Sequence, residues 1–160
     1  MAENTNTEQN GPQFVLQRVY TKDISFETPN SPAIFTEKWE PSVNIDINSA
    51  SKPLQEGLFE VVLSITVTTK VGEKVAYLAE AQQAGIFVIA GFNEQEMGSL
   101  INSHCPNMLF PYVREVISDL VNKGSFPQML LAPINFDALY AQHLQQQAAQ
   151  QESAEEKPVH

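Results

Sequence analysis

The most constraining feature of this sequence is a strict alternation that begins at Leu58, in the stretch LFEVVLSITVTT. A period of two residues is typical of a β-strand with one buried face. The predicted buried face consists of Phe59, Val61, Leu63, Ile65 and Val67, and the opposite face carries Glu60, Ser64, Thr66 and Thr68. The next stretch, KVGEK, predicts a turn, and KVAYLAEAQQAGIFVIAG predicts the returning strand of an antiparallel hairpin.

Two earlier segments also alternate. In the first, from Phe14 to Glu27, we predict one face made of Phe14, Leu16, Tyr20, Ile24 and Phe26. In the second, SVNIDIN, the apolar face consists of Val43, Ile45 and Ile47. The segment between them, TPNSPAIFTEKWEP, contains three prolines among turn-forming residues and predicts a long crossover loop.

The period changes from two to about four after residue 92, which indicates helices. Asn93 and Glu96 have the spacing of a capping box at a helix N-terminus. After Pro111, apolar pairs recur every four residues until Gly124, which we predict to end that helix in the left-handed conformation. Asn135 is placed to cap a last helix. Strands followed by helices predict an α+β fold with an antiparallel sheet.

The length and composition indicate one domain with two polar tails. A chain of 160 residues can bury a core of its own. We predict a single domain over residues 13–147. Residues 1–12 and 148–160 are rich in Asn, Gln, Glu and Ser, so we predict that both tails are disordered.

The formal net charge of −10 narrows the classes of partner. Each tail contributes −2, so the predicted domain carries −6. Such a body repels phosphates and anionic lipids, which argues against nucleic acid and membrane surfaces and favours a basic partner segment. The sequence starts without the pattern of a signal peptide and has one cysteine, Cys105, so we expect a cytoplasmic protein without membrane insertion.

No catalytic motif is recognisable. The sequence lacks a Gly-rich phosphate loop, HExxH, GxSxG and paired CxxC motifs. His104 and Cys105 are adjacent and therefore point in different directions on a helix, which is a poor arrangement for sharing a proton. Glu94 and Glu96 are better explained as acids in the first turn of a helix. We therefore predict that the protein is not an enzyme.

Six motifs together resemble the SecB family of cytoplasmic protein-export chaperones. They are VYTKDISFETPNSP, KWEP, FEVVLSITV, QQAGIF, CPNMLFPYVRE and GSFPQMLLAPINFDALY, and the resemblance covers about residues 14–147. It implies a four-stranded antiparallel sheet with helices packed on it, a homotetramer built as a dimer of dimers, and no nucleotide, metal or other cofactor. The implied function is to hold unfolded secretory preproteins and to pass them to the motor ATPase SecA. An alternative is an acidic oligomeric adaptor that binds a single folded partner.

The resemblance also implies a groove for client peptides between the crossover loop and the helices. Aromatic side chains supply adaptable apolar area for a client without fixed shape. We expect the groove to be lined by Ile34, Phe35, Trp39, Tyr140 and Leu144, although packing in the core is an equal alternative for them. For Leu130, Leu131 and Phe136 we expect burial in the core.

For the SecA contact, the spacing and the resemblance agree. Asp23 and Glu27 are four residues apart on one strand and so share a face, as do Leu78 and Glu80 on the returning strand. The resemblance implies that this acidic surface binds the short zinc-bearing C-terminal segment of SecA. Solvated surface charges without a partner are the alternative.

Small side chains predict the oligomer interface. Ala79 and Ala81 stand where a half-exposed strand normally carries larger residues, so another layer could approach closely. We predict an interface made of these two residues and the helical face bearing Met97, Leu100 and Ile101. The alternative is that all five pack the helices of one chain on its own sheet.

Overall fold

Four antiparallel strands form one sheet in the computed structural model, which describes residues 11–155. The strands are β1 (Gln13–Glu27), β2 (Pro41–Gln55), β3 (Leu58–Val71) and β4 (Lys74–Ala90). Their order across the sheet is β1-β4-β3-β2, so β1 and β2 lie at opposite edges. The connection between them, residues 28–40, therefore crosses the sheet and is called the crossover loop below. The sheet confirms the predicted fold class.

The helices follow the sheet in the chain. They are α1 (Glu94–Ser99), a π-helical turn (Leu100–His104), α2 (Cys105–Lys123) and α3 (Phe136–Glu155). The capping box before α1 is confirmed, because the Glu96 backbone N–H donates to Asn93 Oδ1 at 2.8 Å and Glu96 Oε2 accepts from the Asn93 N–H. Asn135 caps α3 by accepting from the Ala138 N–H at 3.0 Å.

Three details of the helices differ from the predictions. Pro111 lies inside α2 rather than before it, and the packing of α2 on the sheet offsets the backbone hydrogen bond that an interior proline removes. Gly124 has a φ of −75°, and the left-handed residue is Ser125 with a φ of 66°. Residues 148–155 continue α3 instead of being disordered, because Gln, Ala and Glu form helices well. The predicted tail residues 1–10 and 156–160 lie outside the described part of the chain.

The core lies between the sheet and α2, and we call this side of the sheet the covered face. The helix contributes side chains spaced four residues apart, and the strands contribute every second residue. The fully buried members include Leu63, Ile65, Val67, Tyr77, Phe87, Leu109, Val113 and Ile117. The two layers are in close contact at Gly85, where a Cβ atom would lie 3.0 Å from Leu109 Cδ2.

On the other side of the sheet no helix of residues 11–155 is packed, and we call this side the open face. Its partly exposed side chains on β3 and β4 include Val62, Ser64, Thr66, Thr68, Leu78, Glu80 and Gln82. Register shifts at Leu16/Arg18 and Thr21/Asp23 interrupt the alternation of β1. As a result Tyr20 lies on the open face opposite Ala84, and the prediction that it shares a face with Phe14 is wrong.

Candidate functional site

The crossover loop is fastened to the β3–β4 end of the sheet. Ile34 is 2% exposed and belongs to the core. Asn30 Nδ2 donates to the Val75 carbonyl at 2.9 Å, and Lys74 Nζ lies 2.5 Å from Glu37 Oε1. The loop is thus held at its beginning, middle and end, which keeps its aromatic side chains in fixed positions.

These side chains form what we call the aromatic pocket, between the crossover loop and the chain after α2. Its lining is Ile34, Phe35, Glu37, Trp39, Ser125, Phe126 and Pro127, around a cavity of about 140 Å³. The Phe126 ring is central. Its centroid lies 5.1 Å from that of Phe35, 5.8 Å from that of Trp39 and 5.0 Å from that of Tyr77. Since Phe35 remains 50% exposed, this cluster reaches from the core to solvent.

The structure separates the predicted groove residues into two places. Ile34, Phe35 and Trp39 lie together in the aromatic pocket, as expected from the loop. Tyr140 instead lines a second cavity of about 270 Å³, whose apolar members are Ile47, Phe136, Leu139 and Tyr140. Leu144 is 46% exposed on α3 and lines neither cavity.

A strip of exposed apolar side chains on β2 was missed by the sequence reasoning. Val43, Ile45 and Ile47 are 45%, 40% and 37% exposed, and we call them the edge strip. Their strand partners Thr69, Val67 and Ile65 are fully buried on the covered face. Alternation shows which side chains of a strand share a face, but it does not show where the strand lies in the sheet. The sequence therefore did not indicate that α2 leaves this strand uncovered. The edge strip continues at Ile47 into the second cavity.

The apolar segment after α2 divides between core and surface. Leu131 and Phe136 are 3% and 5% exposed, which confirms their predicted place in the core. Leu130 is 66% exposed, so the same prediction is wrong for that residue. The reason is local, because neighbouring residues of an extended segment point in opposite directions.

The open face brings together the four residues predicted for the SecA contact. Glu27 is directly opposite Leu78, and Asp23 is opposite Gln82, two residues from Glu80 on β4. Glu27, Leu78 and Glu80 line one shallow depression. The strand pairing therefore makes a continuous acidic surface with one apolar side chain, from residues more than 50 positions apart in the sequence.

A second charged group on the open face was not predicted. Glu60 is 7% exposed, and its carboxylate accepts hydrogen bonds from the Tyr20 hydroxyl and from Lys22 Nζ, the latter at 2.9 Å. Lys52 Nζ lies 3.8 Å from the same carboxylate. The bonds from Tyr20 and Lys22 hold the pKa of Glu60 below its usual value. Burial, followed by the bond to Glu60, raises the pKa of Tyr20 to about 12.

The predicted interface residues have different surroundings. Ala79 and Ala81 are fully buried on the covered face, so the expectation of a half-exposed position is wrong for both. The chain's own layers cover them, as the alternative held. Met97, Leu100 and Ile101 keep some exposure while they pack against the core. Their role in an oligomer stays a prediction.

The residues considered for catalysis do not assemble a reactive group. Cys105 is fully buried, and burial raises the pKa of its thiol to about 12, so the thiolate is not formed near neutral pH. The ring of the neighbouring His104 packs against that of Phe14 at a tilt of 59°, with ring centroids 5.0 Å apart. Ser103 donates to Asp137 rather than to His104. Within residues 11–155, no three His, Cys, Asp or Glu side chains are grouped as metal ligands would be.

A family model and two similar proteins indicate the same family. The family model described as preprotein translocase subunit SecB matches residues 7–147. A protein-export protein SecB from Methylococcus capsulatus is 66% identical over 140 residues, covering 86% of this chain and 90% of that protein. Its counterpart from Marinobacter nauticus is 53% identical and covers 98% and 99% of the two chains.

A solved structure shares the fold. It is a Mycobacterium tuberculosis SecB-like chaperone in complex with a peptide from an antitoxin, with a TM-score of 0.63 and 16% identity. The alignment covers 76% of this chain and 90% of that chain. No helix among the described residues is long and apolar enough to cross a membrane. With a family model that spans most of the sequence and relatives that are more than half identical, the chain belongs to the SecB family.

Proposed function

We propose that this protein is an ATP-independent holdase that binds unfolded secretory preproteins in the cytoplasm. It keeps them competent for translocation and delivers them to SecA. Membership of the SecB family gives the general role, that of a chaperone in protein export. The observation that carries the holdase proposal is the exposed apolar area of the aromatic pocket and of the edge strip.

This surface suits clients without a fixed shape. It offers aromatic and branched side chains with few hydrogen-bonding groups, so binding does not depend on a particular sequence. The edge strip also lies on an edge strand, whose free backbone groups can pair with an extended peptide. The mycobacterial SecB-like chaperone was solved with a peptide bound, and we propose peptide binding for this chain as well.

The test of client binding is Trp39→Ala. We expect it to weaken capture of several unrelated unfolded proteins, measured without ATP, by about 5- to 30-fold, the usual effect of removing an aromatic contact at an interface. Tyr112→Ala is the matched control, because Tyr112 is 48% exposed on α2 and lies outside both surfaces. If Trp39→Ala mainly lowers the melting temperature, with unchanged client affinity per folded molecule, Trp39 belongs to the core only. Binding of one folded partner alone would favour an adaptor.

For delivery, we propose that the acidic part of the open face binds the zinc-bearing C-terminal segment of SecA. Asp23, Glu27 and Glu80 would attract the basic groups of this segment, and Leu78 would supply an apolar contact. The surface faces away from the aromatic pocket, because Phe126 of the pocket packs on the Tyr77 ring, which belongs to the covered face. A client and the motor could then be bound at the same time.

The docking is tested with Asp23→Ala and Glu80→Lys in calorimetric titrations with SecA. Both variants should bind SecA more weakly while they keep the client affinity of the wild type, and added salt should slow association. Glu73→Lys is the control for the charge reversal, since Glu73 is exposed in the β3–β4 turn. Binding of SecA by both variants as tightly as by the wild type would remove this surface from the proposal.

A further inference from the structure

The open face contains a basic zone as well as the acidic zone formed by Asp23, Glu27 and Glu80. Arg18, Ile86, Glu60 and Lys52 pair in one row across the four strands. Lys22 reaches the same carboxylate from the second register shift of β1. We call Arg18, Lys22 and Lys52 the basic zone. It holds three of the nine Lys and Arg residues of a chain whose net charge is −10.

Glu60 pairs with two cations of the basic zone but does not neutralise the zone. Its carboxylate is shared by Lys22 at 2.9 Å and Lys52 at 3.8 Å, and the Tyr20 hydroxyl donates to its other oxygen. The two lysine side chains remain 40% and 61% exposed. One carboxylate against three cations leaves a net positive charge directed at solvent.

A shallow cavity of about 340 Å³ joins the basic zone to the acidic one. Both lysines and Glu60 line it, together with polar side chains that include Asn48, Ser64 and Gln82. Gln82 is the strand partner of Asp23, so the cavity ends at the acidic zone. Along β3, Glu60 is six residues from Thr66, the partner of Glu80. At about 3.3 Å per residue, the row of Glu60 and Lys52 is about 20 Å from the row of Glu80. The two zones meet on β1, where Lys22 directly precedes Asp23.

We propose that the open face binds a partner segment that carries both charges, with an acidic side chain on Lys22 and Lys52 and basic side chains on Asp23, Glu27 and Glu80. This inference rests on the proposed docking and adds to it the second charge and the direction of the segment along the strands. The basic zone repels a uniformly basic segment that extends this far. An extended segment with about six residues between its acidic side chain and the middle of its basic side chains can reach from the row of Lys52 to the row of Glu80.

Two synthetic peptides of identical composition test the proposal. In the first, three lysines and two glutamates are separated into blocks about six residues apart, and in the second the same charges alternate. Binding is measured by fluorescence anisotropy at low salt. We expect the wild type to bind the separated peptide about 3- to 10-fold more tightly, the effect of one or two exposed ion pairs. Lys52→Gln should remove this preference, while Lys123→Gln on α2, whose lysine side chain is 65% exposed, should keep it.

The variants separate failure of this inference from failure of the docking. If the wild type binds both peptides equally and Asp23→Ala binds both more weakly, the proposal of a segment with both charges is overturned. The proposed docking on the acidic residues then still holds. A preference that persists in Lys52→Gln overturns the assignment of the basic zone. Unchanged binding of both peptides by Asp23→Ala, or no binding of either peptide, overturns the docking and this inference together.

Discussion

At the scale of single residues, Glu60 is the one charged side chain that is buried among residues 11–155. Burying a carboxylate is unfavourable unless hydrogen bonds and opposite charges replace its water, and Tyr20, Lys22 and Lys52 do so here. Neither the alternation of β3 nor the spacing of charges indicates this group. It depends on the register shift that directs Lys22 toward the open face.

Glu60→Gln should lower the free energy of unfolding at pH 7 by about 1–3 kcal/mol, the usual value of hydrogen bonds to a buried charged group. Because the pKa of Glu60 is lowered by folding, its ionised form stabilises the native state. This contribution is complete above the unfolded value of about 4.3 and is lost as the pH falls through the lower native pKa. Urea titrations from pH 7 downward should therefore show the variant approaching the wild type.

Glu73→Gln, at an exposed turn position, serves as the control and should change the unfolding free energy little at any pH. A Glu60→Gln variant with the same stability as the wild type at pH 7 would contradict the energetic role of the cluster. So would a loss that is independent of pH, because it would point to packing rather than to charge.

At the scale of elements, the strands and the N-terminal helix caps were predicted well from the sequence, whereas the side chains that α2 covers were predicted poorly. Uninterrupted alternation in β3 identified its buried face correctly, since period two fixes which residues share a face. In β4 the residues that share a face were recognised, but Ala79 and Ala81 were wrongly expected to be half-exposed. The two register shifts in β1 are not visible as a break in the pattern, which placed Tyr20 on the wrong side. Likewise, only the assembled fold shows that α2 covers β3 and β4 and leaves the edge strip of β2 exposed.

The residues of the candidate site, too, could be predicted only in part, because their positions depend on how distant segments meet in the fold. The sequence singled out the aromatic side chains of the crossover loop, because apolar side chains are unusual on a solvated, proline-rich loop, but it left the groove and the core as equal alternatives for them. Phe126 could not be selected from its apolar neighbours, since its role depends on where the chain after α2 meets the loop. The acidic residues of the proposed docking surface were suggested by spacing and family resemblance together, and strand pairing places them side by side.

Gly85→Ala tests the contact between α2 and the sheet. A Cβ atom at this position would lie 2.7 Å from Phe87 Cε2 and 3.0 Å from Leu109 Cδ2, so the Phe87 ring must move and the Leu109 side chain of α2 must give way. We expect a loss of about 1–3 kcal/mol in urea unfolding, as overpacked cores show. Gly11→Ala is the matched control, because no atom lies within 4 Å of its added Cβ. Equal stability of the two variants would contradict the close approach.

At the scale of the whole molecule, the proposed homotetramer must be built from surfaces that one chain leaves open. Ala79 and Ala81 are fully buried by their own chain, so enlarging Ala81 would strain the core and would not report on an interface. Met97, Leu100 and Ile101 near the π-helical turn keep partial exposure. They are therefore the part of the predicted interface on which the test should act.

Met97→Glu should weaken the tetramer, because association would bury an unpaired charge, which costs more than the lost apolar contact. With a chain mass of 17.8 kDa, light scattering at low micromolar concentration should report about 71 kDa for the wild type and a smaller species for the variant. Gln95→Glu introduces the same negative charge at an exposed position of α1 and should leave the mass of the assembly unchanged. A folded Met97→Glu variant that still scatters as a tetramer would place the interface elsewhere, and a wild type that scatters as a monomer would contradict the assembly itself.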